Sequence, residues 1–193
     1  MEINEASPEY KRNERYTYAD YCSWDDGERW EIIDGEAYAM SPAPLREHQS
    51  ISAKLVTQIG LFLKGKTCEV FAAPFDVRLN VGRGDDTVVQ PDILIVCDKT
   101  KFDPEGKGVV GAPDLIIEIL SPSTEKRDRK IKFKAYQQAG VREYWIVDPV
   151  NRMVAANVLS SGRYLTHSYF DDEKAPLLVL EGCIIDLPEV FAE

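Results

Sequence analysis

A chain of 193 residues, 44% of them hydrophobic, can bury one substantial core but not two large ones. Its formal net charge of −10 excludes a broadly basic, nucleic-acid-coating surface, because phosphate neutralisation supplies most non-specific affinity, while leaving room for a local basic site. The first residues lack a charged and then apolar leader, and no apolar run approaches the roughly 18 residues of a membrane helix, so a soluble, cytoplasmic protein with no membrane partner is expected.

Residues 1–15 are polar and read as a flexible tail ahead of a single domain over 16–193. Thr17 can cap a short helix through Ser23. Trp30-Glu31-Ile32-Ile33-Asp34, followed by Gly35 and Glu36-Ala37-Tyr38-Ala39-Met40, reads as a hairpin turning at Asp34-Gly35. After a loop with Pro42 and Pro44, Ile51, Leu55, Ile59 and Phe62 recur at helical spacing within a helix over 47–64. Strands at 68–80 and 88–97 form an expected antiparallel pair around a turn at 82–86. A strand at 114–120, a helix from about Glu125 to Ala139 stopped by Gly140, and a strand at 143–148 make a βαβ unit, whose strands should be parallel with a right-handed crossover. Shorter strands at 152–159, 163–170 and 183–187 close one edge. Cys22, Cys68, Cys97 and Cys183 contain no C-x-x-C pair, and His48 and His167 are the only histidines, so reduced thiols are expected in place of disulfides or zinc.

Glu118 stands inside the greasy run Leu115-Ile116-Ile117-Glu118-Ile119-Leu120. A carboxylate buried there must be neutralised, paired, hydrogen-bonded or bound to a cation. Asp92, after Pro91 in an otherwise apolar strand, is a second such acid, and adjacent strands would bring the two together. Convergent carboxylates repel unless they share a proton or bind a cation, and Mg²⁺ takes one or two carboxylates while keeping positions for water and phosphate. A glycosidase pair is another outlet for two acids, but no aromatic sugar platform accompanies them. A helix starting near Glu125 descends roughly 10 Å by Lys132 at about 1.5 Å per residue, to the level of Glu118 on its strand. Asp128, Lys132 and Tyr136 then share one helix face, although a surface pairing of Lys132 with Asp128 is the plainer reading.

In order, "RWEIIDGE", "FDVRL", "VVQPDILIVCD", "APDLIIEILSPST" and then Asp128, Lys132 and Tyr136 resemble the Uma2 family, grouped with the PD-(D/E)XK restriction-endonuclease-like nucleases. The resemblance implies an α/β fold with a mixed central sheet flanked by helices, and a Mg²⁺-dependent endonuclease in which Mn²⁺ can substitute. It places Asp92 and Glu118, with the Ile119 carbonyl, on the metal. Leu120 occupies the superfamily's usual lysine position, and Lys132 matches the helix-borne lysine of this group. Glu31 is expected to bind a second metal or position water, and Gln90, Tyr136 and His48 to support the site. Lys126, Arg127, Lys130 and Lys134 form a basic face for nucleic acid, most simply DNA. A homodimer joined through "LLVLEGCIID" is expected, since cutting a duplex takes two sites. The rival reading is a nuclease fold that no longer cuts and serves as a binding or regulatory module.

Overall fold

The computed structural model describes residues 15–40 and 45–192. The expected flexible tail lies outside the described residues except for Arg15, whose guanidinium donates to Asp86 at 2.8 Å. A capping box between Thr17 and Asp20 opens α1 (Tyr18–Ser23). β1 (Trp30–Ile33) and β2 (Glu36–Ala39) turn at Asp34 and Gly35, with φ of 49° and 78°, the left-handed pair that a two-residue hairpin loop demands. α2 (Arg46–Leu63) buries Ile51, Leu55, Ile59 and Leu63 at four-residue steps, while Phe62 is only partly buried.

The strands expected at 68–80 and 88–97 each break in two. β3 (Glu69–Ala72) is separated from β4 (Asp76–Arg78) at Pro74, and β5 (Val88–Val89) from β6 (Ile93–Val96) at Gln90-Pro91-Asp92. Proline has no N–H to give a ladder, so the chain leaves one sheet at each of these places and enters another. β7 (Gly108–Val110) follows, then β8 (Leu115–Ile119), a π-helical stretch (Arg127–Lys132) running into α3 (Phe133–Ala139), and β9 (Glu143–Asp148). Gly140 ends α3 in the left-handed conformation, at φ 87°. β10 (Met153–Ser160), β11 (Arg163–Phe170), β12 (Lys174–Leu177), β13 (Cys183–Asp186) and α4 (Leu187–Val190) complete the chain.

Two principal sheets result, ordered β2-β1-β5-β4-β7 and β11-β10-β9-β8-β6-β3, with β12-β13 as a separate ribbon. The larger sheet is mixed: β8 and β9 are parallel across the helical crossover, and its other pairs are antiparallel. Alternation along β8 sends Leu115, Ile117 and Ile119 into the core beneath α2, and Ile116 and Leu120 into the core that includes α3. Glu118 shares the parity of Ile116 and Leu120, so it faces α3.

One expectation changes here and one is narrowed. Cys68 and Cys97 form a disulfide: β3 pairs with β6 so that Glu69 opposes Val96, and one further step of that register sets the cysteines side by side despite 29 residues of separation. Cys22 and Cys183 remain thiols. The apolar segment 177–186 divides between core and surface: Leu177, Leu180, Cys183 and Ile185 are buried beneath the larger sheet with α2 and α4, while Leu178 and Ile184 are exposed. The outer edge strand β11 is also guarded, its Tyr164 amide donating to Gln137 Oε1 (3.0 Å) and its Phe170 amide to Glu173 Oε2 (2.7 Å).

The C-terminal ribbon is tied to the sheet by a buried acid. Glu143 accepts the Trp145 indole N–H at 2.7 Å through one oxygen and the Val179 amide at 2.8 Å through the other. Glu143→Gln turns one acceptor into a donor facing a donor, and is expected to cost about 1–3 kcal/mol. The midpoint of chemical denaturation measures it; an unchanged midpoint would show that the ribbon is held by apolar packing alone.

Candidate active site

The six-stranded sheet builds the site at its crossing with the smaller one. β6 and β8 run antiparallel with Ile93 opposite Ile117, so one more step sets Asp92 against Glu118. Asp92 Oδ2 accepts the Ile119 amide at 2.8 Å and lies 3.1 Å from His48 Nε2, near the N-terminal end of α2. Glu118 Oε1 accepts both Lys132 Nζ (2.8 Å) and the Tyr136 hydroxyl (2.7 Å). Each acid thereby engages one oxygen and leaves the other, Asp92 Oδ1 and Glu118 Oε2, for a ligand. Both line a cavity of about 570 Å³, together with His48, Ile119, Lys132, Arg29 and Arg127.

Lys132 is enclosed. Besides Glu118 it meets Glu31 Oε1 at 2.8 Å and Asp128 Oδ1 at 3.8 Å, and it is 3% exposed. Burial alone would strip its proton, but the three carboxylates outweigh burial and hold it an ammonium well above the usual lysine range. Burial pushes Glu118 up to about 8, only partly offset by Lys132, and raises Asp128 as well. Burial would likewise lower His48, but the hydrogen bond and charge of Asp92, with the Ile119 carbonyl, raise it overall.

Glu31 is fully buried behind Lys132, where Oε1 also accepts the Gln90 amide at 3.0 Å. It therefore positions the lysine, and does not front the cavity as a second metal ligand or water-holder would. Gln90 lines the same cavity as the acid pair, but its side chain is bonded elsewhere: it donates to Asp76 Oδ1 (2.9 Å) and the Tyr21 hydroxyl (3.0 Å) and accepts from Arg29. Of the four basic residues expected to form one outer face, Lys126, Lys130 and Lys134 are exposed and lie outside the cavity lining, while Arg127 is mostly buried and lines it. The π-helical turn separates them. Positions five apart approach one face when the helix carries about 4.4 residues per turn, so Arg127 joins Lys132, with the Phe133 amide reaching back to the Asp128 carbonyl. Arg29, Asp76 and Tyr21 were missed from sequence. "FDVRL" displays Asp76 as an acid in a strand, but nothing in the chain pairs it with Gln90.

The oxygen donors suit a hard cation. Two carboxylates and Ile119 line the cavity, and among the described residues no three His, Cys, Asp or Glu side chains converge as a metal cluster.

The model of a family described as "Putative restriction endonuclease" matches residues 17–188. The chain belongs to the Uma2 family. Two relatives come from Synechocystis sp. (strain ATCC 27184 / PCC 6803 / Kazusa): protein slr1290, 32% identical over 119 residues, and protein sll1609, 27% identical over 122 residues. The matches cover 61% and 63% of this chain, and 60% and 67% of the relatives' own lengths. A crystal structure from Anabaena variabilis ATCC 29413, described as "a putative nuclease belonging to DUF820", aligns with a TM-score of 0.74 over 91% of this chain and 97% of that one, at 19% identity. This Uma2 protein therefore has the restriction-endonuclease-like α/β fold, and no described helix is long and apolar enough to cross a membrane.

Because folding raises the Glu118 carboxyl, the folded state holds a proton that the unfolded state has lost. The stability this contributes is complete below the unfolded carboxylate value and disappears as pH climbs toward about 8. Metal-free protein should lose thermal stability across that window, and Glu118→Gln, which keeps Oε1 for Lys132 and Tyr136, should flatten part of the loss. Parallel Tm-against-pH curves for the two proteins would refute this account.

Proposed function

We propose that the protein is a divalent-metal-dependent endonuclease that hydrolyses phosphodiester bonds in nucleic acid, with DNA as the favoured substrate. The observation that carries this reading is the convergence of Asp92 and Glu118, each with an oxygen to spare, beside an ammonium fixed 2.8 Å from Glu118. The family's description and that of the structural neighbour, both of them nucleases in words, support it. Asp92, Glu118 and the Ile119 carbonyl would hold Mg²⁺ or Mn²⁺. When bound, such an ion supplies an activated water and neutralises charge on the phosphate.

The chain's own groups do the remaining work. Lys132 keeps its proton, so it is not the base; held by Glu118 and Glu31, it acts as a fixed positive charge that offsets negative charge developing on the phosphoryl oxygens without itself gripping the phosphate. Tyr136 and Glu31 fix Glu118 and Lys132, and His48 steadies Asp92.

Glu118→Ala should abolish metal-dependent cleavage of plasmid DNA, and Lys132→Ala should lower it by about 10² or more, the scale of one preorganised charge contact. Calorimetry with Mn²⁺ separates binding from cutting. Wild type that binds Mn²⁺ but cleaves neither DNA nor RNA would favour the non-cutting module. Cutting both strands of a duplex needs two sites, so a C₂ homodimer goes with this reading, and light scattering at tens of micromolar should return twice the 21.8 kDa chain mass.

A further inference from the structure

We propose that Arg29 and Arg127 form a two-arginine phosphate clamp on the cavity wall, with Gln90 as the residue that positions Arg29. The proposal rests on the nuclease reading above and names how the same site would take hold of its substrate.

A phosphodiester approaching Asp92 and Glu118 meets like charge, on a body that is itself acidic, so cations must face the cavity. Lys132 is committed to three carboxylates. Lys126, Lys130 and Lys134 lie outside the lining. That leaves two guanidiniums.

Arg127 is 13% exposed, yet it is loosely held. Its nearest partners are the Ala39 carbonyl at 3.5 Å and Glu31 Oε2 at 3.7 Å, the Tyr38 ring centroid lies 5.7 Å away, and Nε has no hydrogen-bond partner. Charge-assisted guanidinium bonds to oxygen normally run about 2.7–2.9 Å, so these donors remain available to a ligand. A buried donor without a partner calls for an explanation, and a phosphate oxygen supplies one.

Arg29 is held differently. Nε, at 3.0 Å, and Nη2 both donate to Gln90 Oε1, leaving Nη1 for a ligand. The Gln90 amide must present its oxygen to Arg29, because its NH₂ group is taken by Asp76 Oδ1 and the Tyr21 hydroxyl. Asp76 thus fixes the amide, and the amide fixes the arginine. Both arginines line the one cavity, and their chains meet at the same hairpin end: the Arg29 backbone carbonyl accepts the Met40 amide at 2.9 Å, and the Arg127 guanidinium donates to the neighbouring Ala39 carbonyl. Planar guanidinium forks match the non-bridging oxygens of a phosphate in a way ammonium groups do not.

The test is fluorescence anisotropy of a labelled 12-base-pair DNA duplex in EDTA, read across a salt series. Omitting metal makes failure of the clamp distinguishable from failure of the nuclease reading, which Mn²⁺ calorimetry and cleavage test separately. Arg29→Ala and Arg127→Ala should each weaken binding about tenfold or more, and each should lower the salt slope by about 0.9, one phosphate contact. Gln90→Met, which keeps the backbone bond to Glu31, should reproduce the Arg29→Ala loss and slope; a merely structural glutamine would shift Tm and leave the slope alone. Arg29→Ala, at an exposed side chain, keeps the test decisive if Arg127→Ala folds poorly. The clamp is overturned if wild type binds no more tightly than the arginine variants, or if binding is lost only on substituting Lys126, Lys130 or Lys134.

Discussion

One buried ammonium holds the two sheets in register. Lys132 draws Glu31 from the smaller sheet, Glu118 from the larger and Asp128 from its own helix to within 3.8 Å, with almost no solvent to screen them. Desolvation costs several kcal/mol for each ion in such a cluster, which is what pushes Glu118 toward its protonated form, and only close pairing returns part of that cost. Removing one member of such a buried set costs about 3–5 kcal/mol, more than most core truncations of a single methyl group. The set is also unbalanced. Three acids surround one lysine, Glu31 Oε2 and Asp128 Oδ1 accept no hydrogen bond, and Arg127 stands off at 3.7 Å. A fold that tolerates surplus negative charge at this depth has prepared a place where added positive charge is welcome.

The acid pair was legible because it breaks a pattern. A glutamate in a run of branched aliphatics demands a partner, and strand parity with helix descent leads to Lys132 without coordinates. What sequence could not convey was commitment of individual atoms. Glu31 and Gln90 look alike as polar residues near a strand end, yet one is sealed behind the lysine and the other faces an arginine. The segment 177–186 read as one apolar surface because sequence does not say which of its residues meet the core; Leu177, Leu180, Cys183 and Ile185 pack inward, and Leu178 and Ile184 face outward. The Cys68–Cys97 bridge escaped because cross-strand neighbours depend on register, and spacing along the chain does not encode register.

Pro91 shows how a local rule gains global consequence. Its missing donor ends β5, begins the passage to β6, and so presents Gln90 to one sheet and Asp92 to the other within three residues. Short covalent distance between those side chains limits how far they can drift apart when the sheets flex, a form of preorganisation that long-range contacts alone do not provide.

The π-helical turn has an implication for comparing this chain with others. A single residue inserted in a helix rotates everything before it by about 100° relative to everything after it. A homologue with a regular helix in this region would carry one residue fewer between its serine-rich strand end and its buried tyrosine. An ungapped comparison would then set Arg127 against an outward-facing position, and an apparent loss of the arginine would record a change of helical phase instead of a change of chemistry.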